Sequence, residues 1–249
     1  MEYTTTTYWE NYYSNSRVNR QHIEWVCSHY DAFWDQWIGA CDQRPRSIIE
    51  IGAYPGRYIA YIAARYGLDA TALDYNPDRT KIEQAFQSVG VVKYEIIQAD
   101  FLKYEPHRQY DLVFSNGFIE HFEHYNEILN RHSDYLAPGG AMLVMIPNKR
   151  YLRKWYGWMV DFDNLKAHNL KCMNLGTFHK FASNNQLKIH HLSYFGGFAY
   201  RVHQSLNLPQ RLLYKVVRWI SLKLNPVLAK YPGKYHSGTI VAIFSKPIE

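Results

Sequence analysis

The chain has 249 residues, 47% of them apolar, with 20% charged residues and a formal net charge of +6. That composition excludes a disordered chain, and no uninterrupted apolar run is long enough to cross a bilayer. The basic balance permits an anionic partner without requiring one.

Three cysteines without close pairing, Cys27, Cys41 and Cys172, read as free thiols of a reducing compartment. The polar start Met1–Thr7 lacks a basic-then-apolar signal pattern, so the cytoplasm is the expected location. Residues 8–38 read as helical and aromatic, through Trp9, Tyr12, Tyr13, Trp25, Phe33, Trp34 and Trp37. Arg44-Pro45-Arg46 ends that pattern. Ser47–Ile51 follows as a buried strand, with Ile48, Ile49 and Ile51 suiting a strand covered on both faces. Glycines at Gly52 and Gly56 let the backbone turn and approach a ligand, and Tyr58, Ile59, Ile62 and Ala63 then recur at helical spacing.

The pattern then repeats. Strands are expected at 69–74, 91–98, 110–115 and 141–147, and helices at 81–88 and 120–136, with Ala137-Pro138-Gly139-Gly140 as a turn. Residues 151–181 read as an insertion ending in a short helix. A strand is expected at 187–194, a helix at 209–224 and a final strand at 239–245. Strands alternating with helices imply an α/β fold with a mostly parallel sheet and helices on both faces. No linker interrupts the chain, so one domain is expected over 1–249. Its parts are a helical cover (1–45), a cofactor-binding core (46–148), an acceptor lid (149–185), and C-terminal strands with a basic helix (186–249).

Candidate cofactor contacts fall in order at the ends of the strands. The glycine loop supplies Glu50, Gly52, Tyr54, Pro55 and Gly56. Asp74, next to Tyr75, can accept hydrogen bonds from a ribose diol. Asp100 can accept from an exocyclic amine and Phe101 can stack on a purine. Asn116 and Gly117 bring backbone near the reacting centre. The dinucleotide fingerprint G-x-G-x-x-G and the phosphate loop Gly-Lys-Ser/Thr are both absent.

The segments Ile48-Ile49-Glu50-Ile51-Gly52 with Gly56, Leu73-Asp74, Ala99-Asp100-Phe101, 111–115 and Leu136-Ala137-Pro138-Gly139-Gly140 together resemble the class I S-adenosylmethionine-dependent methyltransferases. The likeness covers 46–148 and the final strand at 236–246, and its texture resembles bacterial enzymes that modify small molecules and sugars. It departs at Tyr54, where the family usually has glycine. The resemblance implies a Rossmann-like, seven-stranded sheet with an antiparallel last strand. It also implies S-adenosylmethionine as cofactor and S-adenosylhomocysteine as product.

A hydroxyl acceptor benefits from a base, and His121 is the first candidate, with His168 second; a structural role is the alternative for each. Glu120 can orient His121, and Asn169 can bond a polyol or pack the lid. No metal is expected: His121 and His124 lack further evident ligands, and Asp161 and Asp163 read as turn chemistry. Trp9, Tyr12 and Tyr13 resemble the aromatic helix that closes over cofactor in some small-molecule methyltransferases, and core packing also explains them. The Asp/Asn-Pro-Pro-aromatic loop of nucleobase amine methylation is replaced by Ser115-Asn116-Gly117-Phe118, so no nucleic acid partner is expected.

The expected reaction is methylation of a small-molecule hydroxyl, with sugars and glycans first, lipid-linked ones included. N-methylation of a small amine and a non-catalytic cofactor-binding scaffold are the alternatives. The helix at 209–224 places Arg211, Lys215 and Arg218 on one face and Leu212, Leu213, Val216, Val217 and Ile220 on the other. Such a helix packs on the sheet or a second copy, or lies on an anionic membrane.

Overall fold

A computed structural model describes Thr4, residues 6–13 and residues 17–248. Of the expected helical cover, Met1–Tyr3, Thr5 and 14–16 lie outside the described residues. Seven strands form one sheet in the order β3-β2-β1-β4-β5-β7-β6. They are β1 (Ser47–Ile51), β2 (Asp69–Asp74), β3 (Tyr94–Gln98), β4 (Tyr110–Asn116), β5 (Leu136–Pro147), β6 (Lys188–Phe195) and β7 (Thr239–Ser245). Neighbours from β3 through β5 pair parallel. The last strand, β7, runs antiparallel to both β5 and β6.

The two-residue period of the strands divides the core. On β1, Ile48 joins one apolar cluster, while Ile49 and Ile51 join the other. On β4, Leu112 and Phe114 face the first cluster and Val113 the second. The first cluster is covered by α2 (Arg20–Cys27), α3 (Asp31–Ile38), α4 (Arg57–Tyr66) and α5 (Thr80–Val89), through side chains such as Ile23, Trp34, Trp37, Ile59 and Phe86. The second is covered by α6 (Tyr125–His132) and α9 (Leu175–Asn184), through Ile128, Leu129, Phe178 and Phe181. Cys27 and Cys172 are buried free thiols, and Cys41 is a half-buried one.

Several boundaries differ from the sequence reading for identifiable reasons. The aromatic run divides into α1 (Thr6–Tyr13), α2 and α3, because Asn19 caps α2 by accepting from the His22 amide and Ser28–Tyr30 tightens into a 3-10 turn. Strand β3 starts at Tyr94, since the Val91 amide donates to the Phe86 carbonyl and closes α5 beyond Gly90. The expected helix at 120–136 is broken into a 3-10 turn (Ile119–His121), α6 and a second 3-10 turn (Ser133–Tyr135). Phe122 is extended, and the Asn169 side-chain amide donates to the carbonyls of Phe122 and Glu123, so neither continues a helix.

Residues 137–140 are a bulge inside β5, where pairing jumps from Tyr110–Leu136 to Leu112–Ala141. The insertion holds α7 (Tyr151–Val160) and α8 (Phe162–Lys166) before α9. The basic helix, α10, runs over Leu208–Leu228.

His132, at the end of α6, is buried; its Nδ1–H donates to the Ile128 carbonyl at 2.7 Å, and Nε2 lies 3.1 Å from the Ser115 hydroxyl. Burial pushes it down to about 4. The unfolded chain therefore takes up a proton near pH 6.5 that the folded chain refuses until about pH 4. Stability from this group is complete above pH 6.5 and is lost as pH falls through that window, by roughly 3 kcal/mol. Urea denaturation between pH 7.5 and 4.5 should show this loss. His132→Gln should be less stable at pH 7.5 and lose correspondingly less on acidification.

Candidate active site

The sheet's strand order reverses between β1 and β4, and a cavity of about 380 Å³ opens there beside their carboxyl ends. Its walls come from the loops after β1, β2, β3 and β4, and from α1. After β1 the backbone turns through Gly52 at φ 73° and Gly56 at φ 89°. A Cβ on Gly52 would stand 2.5 Å from Phe118 Cδ2, and one on Gly56 would stand 2.9 Å from the Ile82 Cα on α5. Both glycines are therefore required by close approach as well as by backbone conformation.

Gly56 also occupies the N-cap of α4, where it has no side chain to offer. Buried Glu50 performs that function from below: its Oε2 accepts from the Ile59 amide at 2.9 Å. Burial raises the Glu50 carboxyl well above its ordinary value, and the helix amide partly offsets this. Glu50, Pro55 and Gly56 thus shape the loop, while Gly52 and Tyr54 line the cavity.

Asp74 is the polar centre of the next wall. Its Oδ2 accepts from the Tyr54 amide at 2.8 Å and its Oδ1 from the Asn76 amide at 2.7 Å. Burial raises its pKa, against those backbone donors. A carboxylate has about four acceptor positions, so acceptor capacity remains for a ligand hydroxyl beside the amides of Tyr54, Asn76 and Tyr75. Tyr75, Asp100, Phe101, Asn116 and Gly117 also line the cavity. Asp100 sits beyond the end of β3, where its Oδ1 accepts from the Leu102 amide at 3.0 Å.

On the other side, α1 contributes Trp9 and Tyr13. The Trp9 ring stands edge-on to His121 at 4.7 Å, and Tyr13 meets Tyr54 at 5.5 Å. Tyr8 donates to Asn164 Oδ1 at 3.3 Å, and the Tyr12 hydroxyl lies 3.2 Å from His203 Nε2. The N-terminal aromatics therefore close the cavity against the segments after β5 and β6.

His121 lines the cavity; His168 lies behind it, with ring centres 4.5 Å apart. His121 Nδ1 is 2.8 Å from the Ala167 carbonyl, which only accepts, so Nδ1 carries the proton and Nε2 keeps its lone pair. Burial pushes His121 down to about 3, which keeps it neutral. His168 is fixed the same way, with Nδ1 donating to the Asn164 carbonyl at 2.6 Å, and burial lowers it strongly. Glu120 is fully buried, with Oε1 3.7 Å from His121 Nε2. Among the described residues neither carboxylate oxygen has a hydrogen-bond partner, and burial pushes the group up to about 8.

Lys149, pushed down to about 7 by burial, donates to Asn164 Oδ1 at 2.6 Å and stands 3.3 Å from His168 Nδ1. Asp161 anchors this cluster from Arg153 and Asn164. Its carboxyl is held well below the usual range by hydrogen bonds from His203, Asn164 and Arg153, which outweigh burial. Asn169 serves the backbone near Phe122. Glu120, His121 and His168 offer atoms within 4.8 Å of one another, a grouping that the sequence spacing did not reveal. The Lys149 amine stands beside it, 3.3 Å from His168 Nδ1.

Sequence reasoning missed Asn76, Lys103, Phe118 and Phe122 as cavity walls, and Lys149 behind them. The pair Phe118 and Phe122, spaced four apart around Glu120-His121, was the available signal.

Residues 23–192 match the protein family described as a methyltransferase domain. A trans-aconitate 2-methyltransferase of Rhizobium leguminosarum bv. trifolii (strain WSM2304) is 27% identical over 134 residues, 51% of this chain and 51% of that protein. The chain thus spans about half the length of such curated relatives. Among solved structures, a SAM-dependent methyltransferase from Thiobacillus denitrificans in complex with S-adenosyl-L-homocysteine superposes with a TM-score of 0.58 at 14% identity, over 96% of this chain and 97% of that one. The N-methyltransferase NodS from Bradyrhizobium japonicum WM9, also with S-adenosyl-L-homocysteine, gives 0.58 at 11% identity, over 98% and 100%. At these identities the structures speak for the fold.

Gly56 and Gly67 both have positive φ, but a Cβ at Gly67 meets nothing within 4 Å. Gly67→Ala should lose roughly 1–2 kcal/mol of stability to left-handed backbone strain. Gly56→Ala should lose that and, in addition, the cost of displacing α5. Equal losses in chemical denaturation would show that α5 yields freely.

Proposed function

Because the chain belongs to the methyltransferase-domain family, we propose that it transfers a methyl group from S-adenosylmethionine to a hydroxyl of a small molecule, sugars and glycans first, and releases S-adenosylhomocysteine. The donor supplies an activated methyl group on a cationic sulfur. Asp74 lines the cavity with acceptor capacity left for a ribose hydroxyl, and Phe101 with Asp100 frames a purine with an exocyclic amine. Trp9, Tyr13 and Phe118 offer aromatic faces, which suit a positive charge and the C–H faces of a sugar.

The observation that carries the oxygen acceptor is the tautomer of His121. Its Nδ1–H is committed to the Ala167 carbonyl, so Nε2 keeps its lone pair in a ring that lines the cavity, 3.7 Å from Glu120 Oε1. An acceptor hydroxyl hydrogen-bonded to Nε2 would give up its proton there as its oxygen takes the methyl group and the donor's sulfur keeps the electron pair of the broken carbon–sulfur bond. The imidazolium so formed lies 3.7 Å from Glu120 Oε1, which as a carboxylate stabilises it. His168 positions that pair from behind, and Trp9 excludes water beside it.

A carboxylate acceptor is the second reading, favoured by the name of the trans-aconitate relative. Such an acceptor is already ionised at neutral pH and needs no base. The two readings therefore separate at His121.

Calorimetric titration with S-adenosylmethionine should give saturable binding, and Asp74→Ala should weaken it roughly 10- to 100-fold, as expected for hydrogen bonds to a charged group. Undiminished binding by the folded variant would remove Asp74 from the donor site. With a hydroxyl acceptor found by screening, His121→Ala should lower kcat roughly 100-fold or more while donor affinity holds. A small loss would favour the carboxylate reading.

The pH dependence follows from Glu120, which is neutral below about 8 and charged above it. kcat/KM should therefore rise with pH toward a plateau. The step should fall at or below pH 8, because the donor's positive charge favours the carboxylate, and it should vanish in Glu120→Gln.

A further inference from the structure

We propose that α10, together with α7 beside it, docks this protein on an anionic lipid bilayer. This inference is independent of the methyl-transfer reading. Helix α10 is 21 residues long, yet Ser221 is its one fully buried residue. The apolar side chains on its outer face are left in solvent: Leu208, Leu212, Val216, Trp219 and Val227 recur at spacings of three, four and eight and are all exposed. Leu212 and Trp219 show 66% and 59% of their surfaces. The sequence allowed this stripe to pack on the sheet, but the structure divides it. Leu213 and Val217 turn partly inward, while Leu212, Val216 and Ile220 remain outside.

The charges beside the stripe have one sign. Arg211, Lys215, Arg218 and Lys223 are all exposed, and α10 contains no acidic residue. Lys223 Nζ sits 4.0 Å from the centre of the Trp219 ring, a pairing of cation and interfacial aromatic. Helix α7, which α10 touches, also exposes large apolar side chains. The Gln210 side chain donates to the Met159 carbonyl at 2.9 Å, which joins the first turn of α10 to the end of α7. There Trp155 and Trp158 are each 66% exposed, with Leu152 beside them and Lys154 between.

Charge decides the occupant. A second copy seated on the same face would set four cations against four with no acid on either helix. An anionic headgroup layer complements them, the long basic side chains reach up to phosphates, and Leu and Trp enter the acyl boundary. Crossing the bilayer is a different matter: among the described residues no helix is long and apolar enough. The geometry is that of a helix lying in the interface plane.

Co-sedimentation of the full chain with vesicles of phosphatidylcholine alone, and of phosphatidylcholine with one third phosphatidylglycerol, tests this. Binding should be strong to the anionic vesicles, weak to the neutral ones, and reduced by added salt. The double variant Arg211→Ala/Lys215→Ala should bind roughly 30-fold more weakly. Leu212→Ser/Trp219→Ser should also bind at least about tenfold more weakly. Both should melt at the wild-type temperature, since the changed side chains are exposed. No sedimentation with anionic vesicles, or undiminished binding by both folded variants, would overturn the proposal. A stable dimer lost in Leu212→Ser/Trp219→Ser, with no vesicle binding by the wild type, would assign the face to a second copy instead.

Discussion

Asp74 accepts from the amides of Tyr54 and Asn76, and this one carboxylate fastens the loop after β1 to the loop after β2. The other walls depend on that joint. With Tyr54 held there, its ring is positioned against Tyr13 of α1, and its hydroxyl donates to Asp78 at 3.0 Å. Below the joint, Glu50 holds the first turn of α4, so the loop is anchored at both ends by carboxylates of adjacent parallel strands. Two acids this close are costly to bury. Backbone amides offset much of that cost, and the remainder appears as the raised pKa of each.

A second polar system lies deeper, where Glu120, His121, His168, Lys149, Asn164 and Asp161 meet. Its members divide by how well they are satisfied. Asp161 is fully engaged and strongly acidic, whereas Glu120 has no hydrogen-bond partner among the described residues. A buried carboxylate left in that condition is destabilising unless something arrives to use it. Its position beside His121, which lines the cavity, ties the cost to the chemistry proposed for that histidine.

The strand ends were legible because their signals are local. A short apolar run, a glycine pair and an acid at the next strand end are read within a few residues, and Gly52, Tyr54, Asp74, Asp100, Phe101 and Asn116 all reached the cavity. What sequence could not supply was long-range. His168 comes to His121 because the chain at α8 folds back, where Lys149, just beyond β5, meets it, and no period in the chain announces this. The broken helix after β4 has the same origin, since Asn169 withdraws two carbonyls from it across 46 or 47 positions. Pro55 and Gly56, read as ligand contacts, lie in the turn that carries Gly52 and Tyr54 into the cavity. Sequence identifies such residues without distinguishing the surface they touch from the turn they make.

The attachment of α1 has a kinetic meaning. The walls formed by the loops after β1, β2, β3 and β4 are carried by the sheet. The remaining wall, carrying Trp9 and Tyr13, is held to the segments after β5 and β6 by the phenols of Tyr8 and Tyr12, to α5 by Lys81 donating to the Tyr13 carbonyl, and to the loops by ring contacts with His121 and Tyr54. Hydrogen bonds of this kind contribute about 1 kcal/mol each, a small fraction of a domain's global stability. A wall held by side-chain contacts can part without breaking a strand ladder, so an occupant can leave without any strand leaving the sheet.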